Sequence, residues 1–382
     1  MNRRKFLTIA GSAGVIIAAG GVGFVMTRTP TGALEPWKNV GSLYSDPMRR
    51  ALSYAILAPN PHNRQPWVVD LKSDLQAVLS CDLGRLLPAT DPFSRQIVIG
   101  LGCFLELFSM AAADQGYRVD IRYFPDGESD HDLDQRPIAH LSLEKQDGLA
   151  GDPLFAQALN RHTNRNPYDT NRAIGDDLLG RLRDVAANTV RVGTANGGAQ
   201  LNDLRTLTRD AMWAEVRTPE AYQESVDLMR IGRAEIEANP DGISLGGAFL
   251  EALSLAGVLT RDSLADPASR SYQIGLDMIE DGAMTAMGFV WINTMGNNRR
   301  AQIEAGRAYM RVALQATADG LAMQPMSQAL QEYAAMAPYY EAIHGRLTDQ
   351  PGESVQMLAR LGYADAIGPA PRWPLETRMR EI

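Results

Sequence analysis

The sequence predicts an α+β protein built from two related halves, and three observations lead to this class. Two long segments of the 382-residue chain, 91–116 and 297–320, have the length and apolar content of core helices. Short apolar runs that favour strands lie before and after the first of them, and two more lie in the second half, at 189–193 and 355–363. Both segments close on Asp and Gly, in AAADQG and ATADG, which indicates that the two halves repeat one plan.

The first half is predicted to span 34–150. A short helix over 46–57 leads into the loop APNPHNRQPW, and strands follow at 67–72 and 76–83. The long helix has an N-cap candidate in Asp91, with Pro92 in its first turn, and a C-terminal stop in Gly116. It is apolar nearly all round, which places it in the core. Strands at 117–125 and 138–145 complete this half.

The second half is predicted to span 151–382 and begins at the helix-start signal Asp152-Pro153. A helix over 153–162, two further helices and a short strand at 189–193 come next. Residues 218–296 are mostly helical in pattern and rich in Met and Gly, and we interpret them as an inserted helical lid. The long amphipathic helix over 297–320, a helix near 327–336 and a strand at 355–363 follow.

The first 33 residues are interpreted as a signal or anchor segment rather than as part of the fold. Arg3-Arg4 followed by Phe6-Leu7 is similar to a twin-arginine export signal, which predicts a periplasmic or cell-envelope location. A Sec signal or a plain anchor is the alternative. The stretch 31–33 is not a clean A-x-A site, so cleavage and a retained membrane tether both stay open. Twin-arginine export commonly serves cofactor-containing proteins.

Charge and residue types exclude several functions. The net charge is −8, and removal of residues 1–33 would make it more negative, which argues against nucleic-acid binding. The five histidines show no metal-ligand spacing, so no metal site is predicted. No nucleophile elbow is found. Cys81 and Cys103 are either paired or free.

The stretch RHTNR carries the clearest chemical signal. Arg161 and Arg165 flank Thr163, so two guanidiniums and a hydroxyl occupy alternate positions. That arrangement suits a phosphate group. The alternative is a pair of solvated surface arginines.

Taken together with the later stretches GLAMQPMS, RLGY and RWPLE and with APNPHNRQPW, this motif resembles the FMN-binding nitroreductase fold. The first half lacks a phosphate motif and the second lacks an N-Q-P-W loop. The chain is therefore similar to the Acg-like branch, in which one chain does the work of a dimer. The resemblance implies one FMN per chain and a monomer that forms an internal pseudo-dimer.

The resemblance also implies roles for particular residues. The FMN phosphate is expected to be held by Arg161, Thr163, Arg165 and Arg372. Asn63 and Gln65 are expected to bond to the flavin edges or to the loop that covers the flavin, with Pro59 shaping their turn. Met326 and Ser327 are expected to present backbone N–H groups near the flavin N5. Arg95 is a further phosphate candidate because it begins a helix.

The predicted function is that of an FMN-dependent oxidoreductase of nitroreductase type. It would transfer electrons by a ping-pong route between a donor and an acceptor that the sequence does not identify. The alternative is a flavin-binding or storage protein whose lidded FMN site does not turn over. No catalytic side chain is identified by the sequence.

Overall fold

A computed structural model describes residues 28–129 and 131–381 of the chain. The predicted twin-arginine stretch, with Arg3 and Arg4, lies outside these residues. The described residues combine two main sheets with packed helices, which confirms the predicted α+β class.

The helices and strands have the following bounds. The helices are α1 Glu35–Lys38, α2 Pro47–Ala55, α3 Arg95–Asp114, α4 Asp176–Asp184, α5 Gly198–Val216, α6 Pro219–Asp227, α7 Gly232–Ala238, α8 Ala248–Leu255, α9 Arg261–Ala265, α10 Arg270–Met284, α11 Arg299–Ala318 and α12 Ala337–Leu347. The strands are β1 Trp67–Ser73, β2 Gln76–Cys81, β3 Tyr117–Tyr123, β4 Ala139–Lys145, β5 Arg191–Ala195, β6 Met229–Ile231, β7 Ile243–Leu245, β8 Gly288–Met295, β9 Ala322–Pro325, β10 Glu353–Gly362 and β11 Met379–Glu381.

The two main sheets share one strand order. The first runs β11-β1-β2-β4-β3, and the second runs β5-β8-β10-β9. In the first sheet α3 connects β2 to β3, and in the second α11 connects β8 to β9. The four shared strands pair antiparallel in both sheets, while the additional edge strand β11 pairs parallel to β1. The repeat suggested by AAADQG and ATADG therefore extends to the topology.

The long helices α3 and α11 pack against each other through matched glycines. A methyl group added to Gly102 would overlap the carbonyl oxygen of Ile303, and one added to Gly306 would overlap that of Ile99. Both glycines stand three residues after an isoleucine, so the contact is reciprocal. Reciprocal contact of this kind is what a two-fold axis produces. Here it joins two segments of one chain.

The arginines at the start of the two long helices also reach across to the opposite half. Arg299 donates to the Phe93 carbonyl at 2.7 Å and to that of His131. Arg95 donates to the carbonyls of Gln356 at 2.6 Å and Leu330 at 2.8 Å. Arg95 also pairs with Glu332. The expectation that Arg95 faces a phosphate is therefore wrong, because its donors hold the two halves together.

The inserted helical segment lies between β5 and β8, and we call residues 196–287 the insert. The predicted lid, 218–296, ended too late, because 288–295 is the buried strand β8 at the centre of the second sheet. The insert has a small core of its own, formed by Val226, Ile231, Leu259 and Leu264. Short 3-10 turns replace the helices predicted at 153–162 and 327–336.

Helix α3 is, among the described residues, the helix that is long and apolar enough to cross a membrane. It is 83% buried over its most apolar stretch, so it is the core helix that the sequence predicted. Cys81 and Cys103 are buried free thiols.

Candidate functional site

The loop APNPHNRQPW holds an unusual backbone. His62, Asn63 and Gln65 have φ values of 46°, 52° and 51°, in the left-handed region that non-glycine residues seldom occupy. Each such residue costs on the order of 1 kcal/mol, so the loop is maintained by its contacts. Pro59 lies half-buried just before the 3-10 turn Pro61–Asn63.

The two amides of this loop bond to distant segments of the protein. Asn63 Nδ2 donates to the Pro371 carbonyl at 3.0 Å, and Gln65 Nε2 donates to that of Pro240 at 2.8 Å. Gln65 Oε1 accepts from the Trp373 N–H at 2.9 Å. The amides thus fasten the loop to the C-terminal segment and to the insert. Flavin edges or a covering loop were expected as their partners, and Gln65 does bond to the insert.

Arg372 is buried, and its guanidinium is fully bonded to protein. It donates to the carbonyls of Ile56, Leu57, Ala58 and Pro371 and to Asn63 Oδ1 at 2.6 Å. Three of these carbonyls follow the end of α2, where the helix dipole favours a cation. Burial, and next the neighbouring Arg161, lower the pKa of Arg372 to about 9. Through these hydrogen bonds Arg372 stabilises the loop APNPHNRQPW, which faces Arg161.

Arg161 and Arg165 are different, because they lack counter-charges. Arg161 is buried, its Nε has no partner, and its one hydrogen bond is a 3.5 Å contact to the Leu57 carbonyl. In the described part of the chain neither arginine forms an ion pair, and neither Arg165 nor the Thr163 hydroxyl makes a hydrogen bond. Burial lowers the pKa of both arginines. By its accessible surface Arg165 is an exposed residue, whereas Arg161 is buried.

Two further residues join this cluster: His62 of the loop, and Arg360, which the sequence did not bring forward. His62 has a buried Nδ1 without a partner, and burial, then Arg165 and Arg64, lower its pKa to about 4, so it is neutral at pH 7. Arg360 is fully buried, stacks on Tyr168 at 3.8 Å, and leaves one nitrogen, Nη1, without a partner. An arginine within the apolar strand sequence VQMLARLGY was the available signal for Arg360.

The segment around Met326 adjoins the cluster through β9. The Asn164 N–H donates to the Met323 carbonyl at 3.1 Å, which joins the RHTNR segment to this strand. Met326 is buried, and its N–H donates to the Leu358 carbonyl at 2.8 Å. That N–H is therefore committed to the sheet, contrary to its expected role. Ser327 begins the next 3-10 turn, Ser327–Leu330.

Glu215 on α5 bonds to Gln331, the residue that follows the 3-10 turn Ser327–Leu330. The ionisation of Glu215 predicts that the stability of the protein depends on pH. Glu215 is 8% exposed and accepts a 2.5 Å hydrogen bond from Gln331 Nε2. Burial raises the pKa of Glu215 from 4.5 to about 7. Its contribution to the free energy of unfolding is therefore full below pH 4.5 and is lost as the pH rises through 7, by on the order of 3 kcal/mol.

Glu215→Gln is expected to remove this dependence. Urea unfolding of both proteins at pH 5 and pH 8 measures it, because other titrating groups cancel in the difference between them. The free energy of unfolding of the native protein, taken relative to that of the variant, should decrease from pH 5 to pH 8. A difference that is the same at both pH values would contradict the assignment.

Sequence comparison identifies relatives over most of the chain. None of the known family models matches the sequence. The chain is 27% identical over 350 residues to the Mycobacterium tuberculosis H37Rv protein named "Putative NAD(P)H nitroreductase Rv3131", covering 87% of this chain and 93% of the relative. It is 32% identical over 151 residues to "Putative NAD(P)H nitroreductase acg" of the same strain, covering 39% and 44%. These matches support a relation to nitroreductase-type proteins, and the α+β architecture is consistent with that relation.

Solved structures overlap with this chain only in part. The FMN-dependent nitroreductase NfnB of Mycobacterium smegmatis, in complex with NADPH, is 16% identical with a TM-score of 0.36, covering 59% of this chain and 97% of NfnB. A nitroreductase with bound FMN from Desulfitobacterium hafniense is 15% identical with a TM-score of 0.36, covering 61% and 100%.

Proposed function

We propose that this chain is an FMN-dependent oxidoreductase of nitroreductase type, with the FMN phosphate at Arg161, Thr163 and Arg165. The observation that carries the proposal is the absence of counter-charge around the two arginines in the described part of the chain. A buried cation without a partner is costly, and a bound phosphate would supply both charge and acceptors. The unpartnered Nε of Arg161 and the unbonded Thr163 hydroxyl fit such a group.

Each part of the site has a definite task in this proposal. Arg161 and Arg165 bind and orient the phosphate, while Arg372, Asn63 and Gln65 hold the strained loop against them. Neutral His62, whose buried Nδ1 has no partner among the described residues, lies near Arg165. Bound FMN would supply the electron-transfer chemistry, and the surrounding chain would orient it and exclude water. We further propose a ping-pong exchange between a donor and an acceptor.

The two halves support the proposal that one chain replaces a dimer. Their strand orders match, and α3 and α11 make the reciprocal contact through Gly102 and Gly306. The second half supplies RHTNR, and the first supplies the loop that faces it. We therefore propose one FMN per chain and a monomeric protein.

A flavin-storage protein is the second candidate, favoured by the way the insert is fastened over the loop. Asp241 of the insert accepts from Arg85 at 2.7 Å and from Trp373 Nε1 at 3.1 Å. Glu224, also of the insert, accepts from the N–H groups of Ala89 and Thr90. These bonds connect the insert to residues 85–90 of the first half and to Trp373 of the C-terminal segment. A lid that stays closed would hinder a substrate.

The N-terminal sequence supports a proposed location in the periplasm or cell envelope. Arg3-Arg4 and the apolar run after them are the basis for this proposal. NAD(P)H is scarce outside the cytoplasm, so the reductant there would be a quinol or another protein. Reduction by NADPH is therefore the decisive question about the donor.

Anaerobic titration of the purified yellow protein tests the function. Dithionite should bleach bound FMN, and bleaching by NADPH within seconds would favour the enzyme with a nicotinamide donor. Asp241→Asn, which loosens the insert, should accelerate reduction if closure limits access. Arg118→Gln is the matched control, because Arg118 is an exposed arginine paired with Glu144. A protein that binds no flavin would contradict both candidates.

A further inference from the structure

The insert carries a protruding apolar segment that the proposed function does not use. Leu255, the last residue of α8, and the next three residues, Ala256, Gly257 and Val258, are all exposed; we call residues 255–258 the apolar tip. Leu255 is 72% exposed and Val258 is 44% exposed. A run of exposed apolar residues of this length is costly in water unless another apolar phase covers it.

The N–H groups at the apolar tip are already bonded within the protein. The N–H groups of Ala256, Gly257 and Val258 donate to carbonyls of α8 at 2.9–3.0 Å. The Val258 carbonyl accepts from the Ser263 and Ser271 hydroxyls. Contact of the tip with lipid would therefore leave none of these three N–H groups unpaired, which lowers the cost of that contact.

The start of the described chain lies against the same helix. Arg28 forms an ion pair of 2.8 Å with Glu251 of α8, and Glu237 of α7 accepts from the N–H groups of Gly32 and Ala33. Glu251 is one helical turn, about 6 Å, from Leu255. The apolar run of the N-terminal sequence ends at Met26, and the two residues from there to Arg28 span at most about 7 Å.

We propose that the apolar tip inserts into the surface of a lipid bilayer beside the N-terminal apolar run. The N-terminal apolar run and the apolar tip would then enter the same membrane. The insert would form the surface of the protein that contacts this membrane. Four residues alone bind weakly, but a tether raises their effective concentration at the bilayer. Because the protein is acidic, insertion would rest on apolar contact rather than on anionic lipid. The inference does not depend on FMN.

A fluorescent label on the tip tests this inference in the full chain. Val258→Cys, labelled with an environment-sensitive dye, is placed in phosphatidylcholine vesicles with and without brominated lipid. Leu75→Cys is the matched control, because Leu75 is 43% exposed in the turn between β1 and β2. The native Cys81 and Cys103 are buried and should remain unlabelled.

We expect brominated lipid to quench the label at 258 at least twofold more than the label at 75. Equal quenching at the two positions would overturn the proposal. A blue-shifted label at 258 without lipid quenching would also overturn it, since a second protein copy would then cover the tip. Failure of the full chain to associate with the vesicles would overturn it as well.

Discussion

Arg161→Gln combined with Arg165→Gln is expected to lower FMN affinity by a hundredfold or more, so that the purified protein is colourless. Each charge-assisted hydrogen bond to phosphate contributes about 1.5–3 kcal/mol, and two are removed. Flavin content per chain, measured from the visible spectrum after denaturation, gives the result. Arg118→Gln, which removes an exposed arginine from a surface ion pair, should leave the flavin content unchanged.

The same double substitution should not destabilise the apoprotein. Arg161 lacks a counter-charge in the described structure, so replacing it removes a desolvation cost along with its one long hydrogen bond. Thermal unfolding of the flavin-free forms should give a midpoint equal to or above that of the native apoprotein. A lower midpoint with unchanged flavin content would show that the two arginines serve the fold.

Gly102→Ala is expected to destabilise the protein by about 3 kcal/mol. The added methyl group would overlap the Ile303 carbonyl and approach Gly306 Cα at 2.9 Å. These are backbone atoms of a helix, so the two long helices must separate, and overpacking of this kind typically costs 1–3 kcal/mol or more. The midpoint of urea unfolding measures the change.

Gly275→Ala is the matched control for that substitution. Gly275 also lies inside a helix, α10, and an added methyl group there meets no atom within 4 Å. It should stabilise the protein by up to about 1 kcal/mol, since alanine is the better helix former. If both variants unfold at the same urea concentration, α3 and α11 do not pack as described.

The sequence predicted the two long helices because helices of this kind depend on local patterns. Apolar spacing marks α3 and α11, and both end at the Asp-Gly signals. The family resemblance also implied that the loop around Asn63 and the region of Arg161 serve one site, and this stays a prediction.

Hydrogen-bond partners could not be predicted in the same way. The partners of Asn63, Gln65 and Arg372 lie up to 316 positions away along the chain, so they depend on the complete tertiary structure. The sequence predicted a free backbone N–H at Met326. It did not show that the Leu358 carbonyl lies opposite this N–H and accepts its hydrogen bond. The end of the insert was misplaced because β8, a strand buried on both faces, has no alternating pattern.

The most direct test of the account is the number of FMN molecules bound per chain. Protein purified in folded form is denatured, and the released flavin is identified by chromatography and compared with the chain concentration. We expect one FMN per chain in the native protein and close to none in the Arg161→Gln, Arg165→Gln variant. A native protein that is colourless and does not take up added FMN would contradict it.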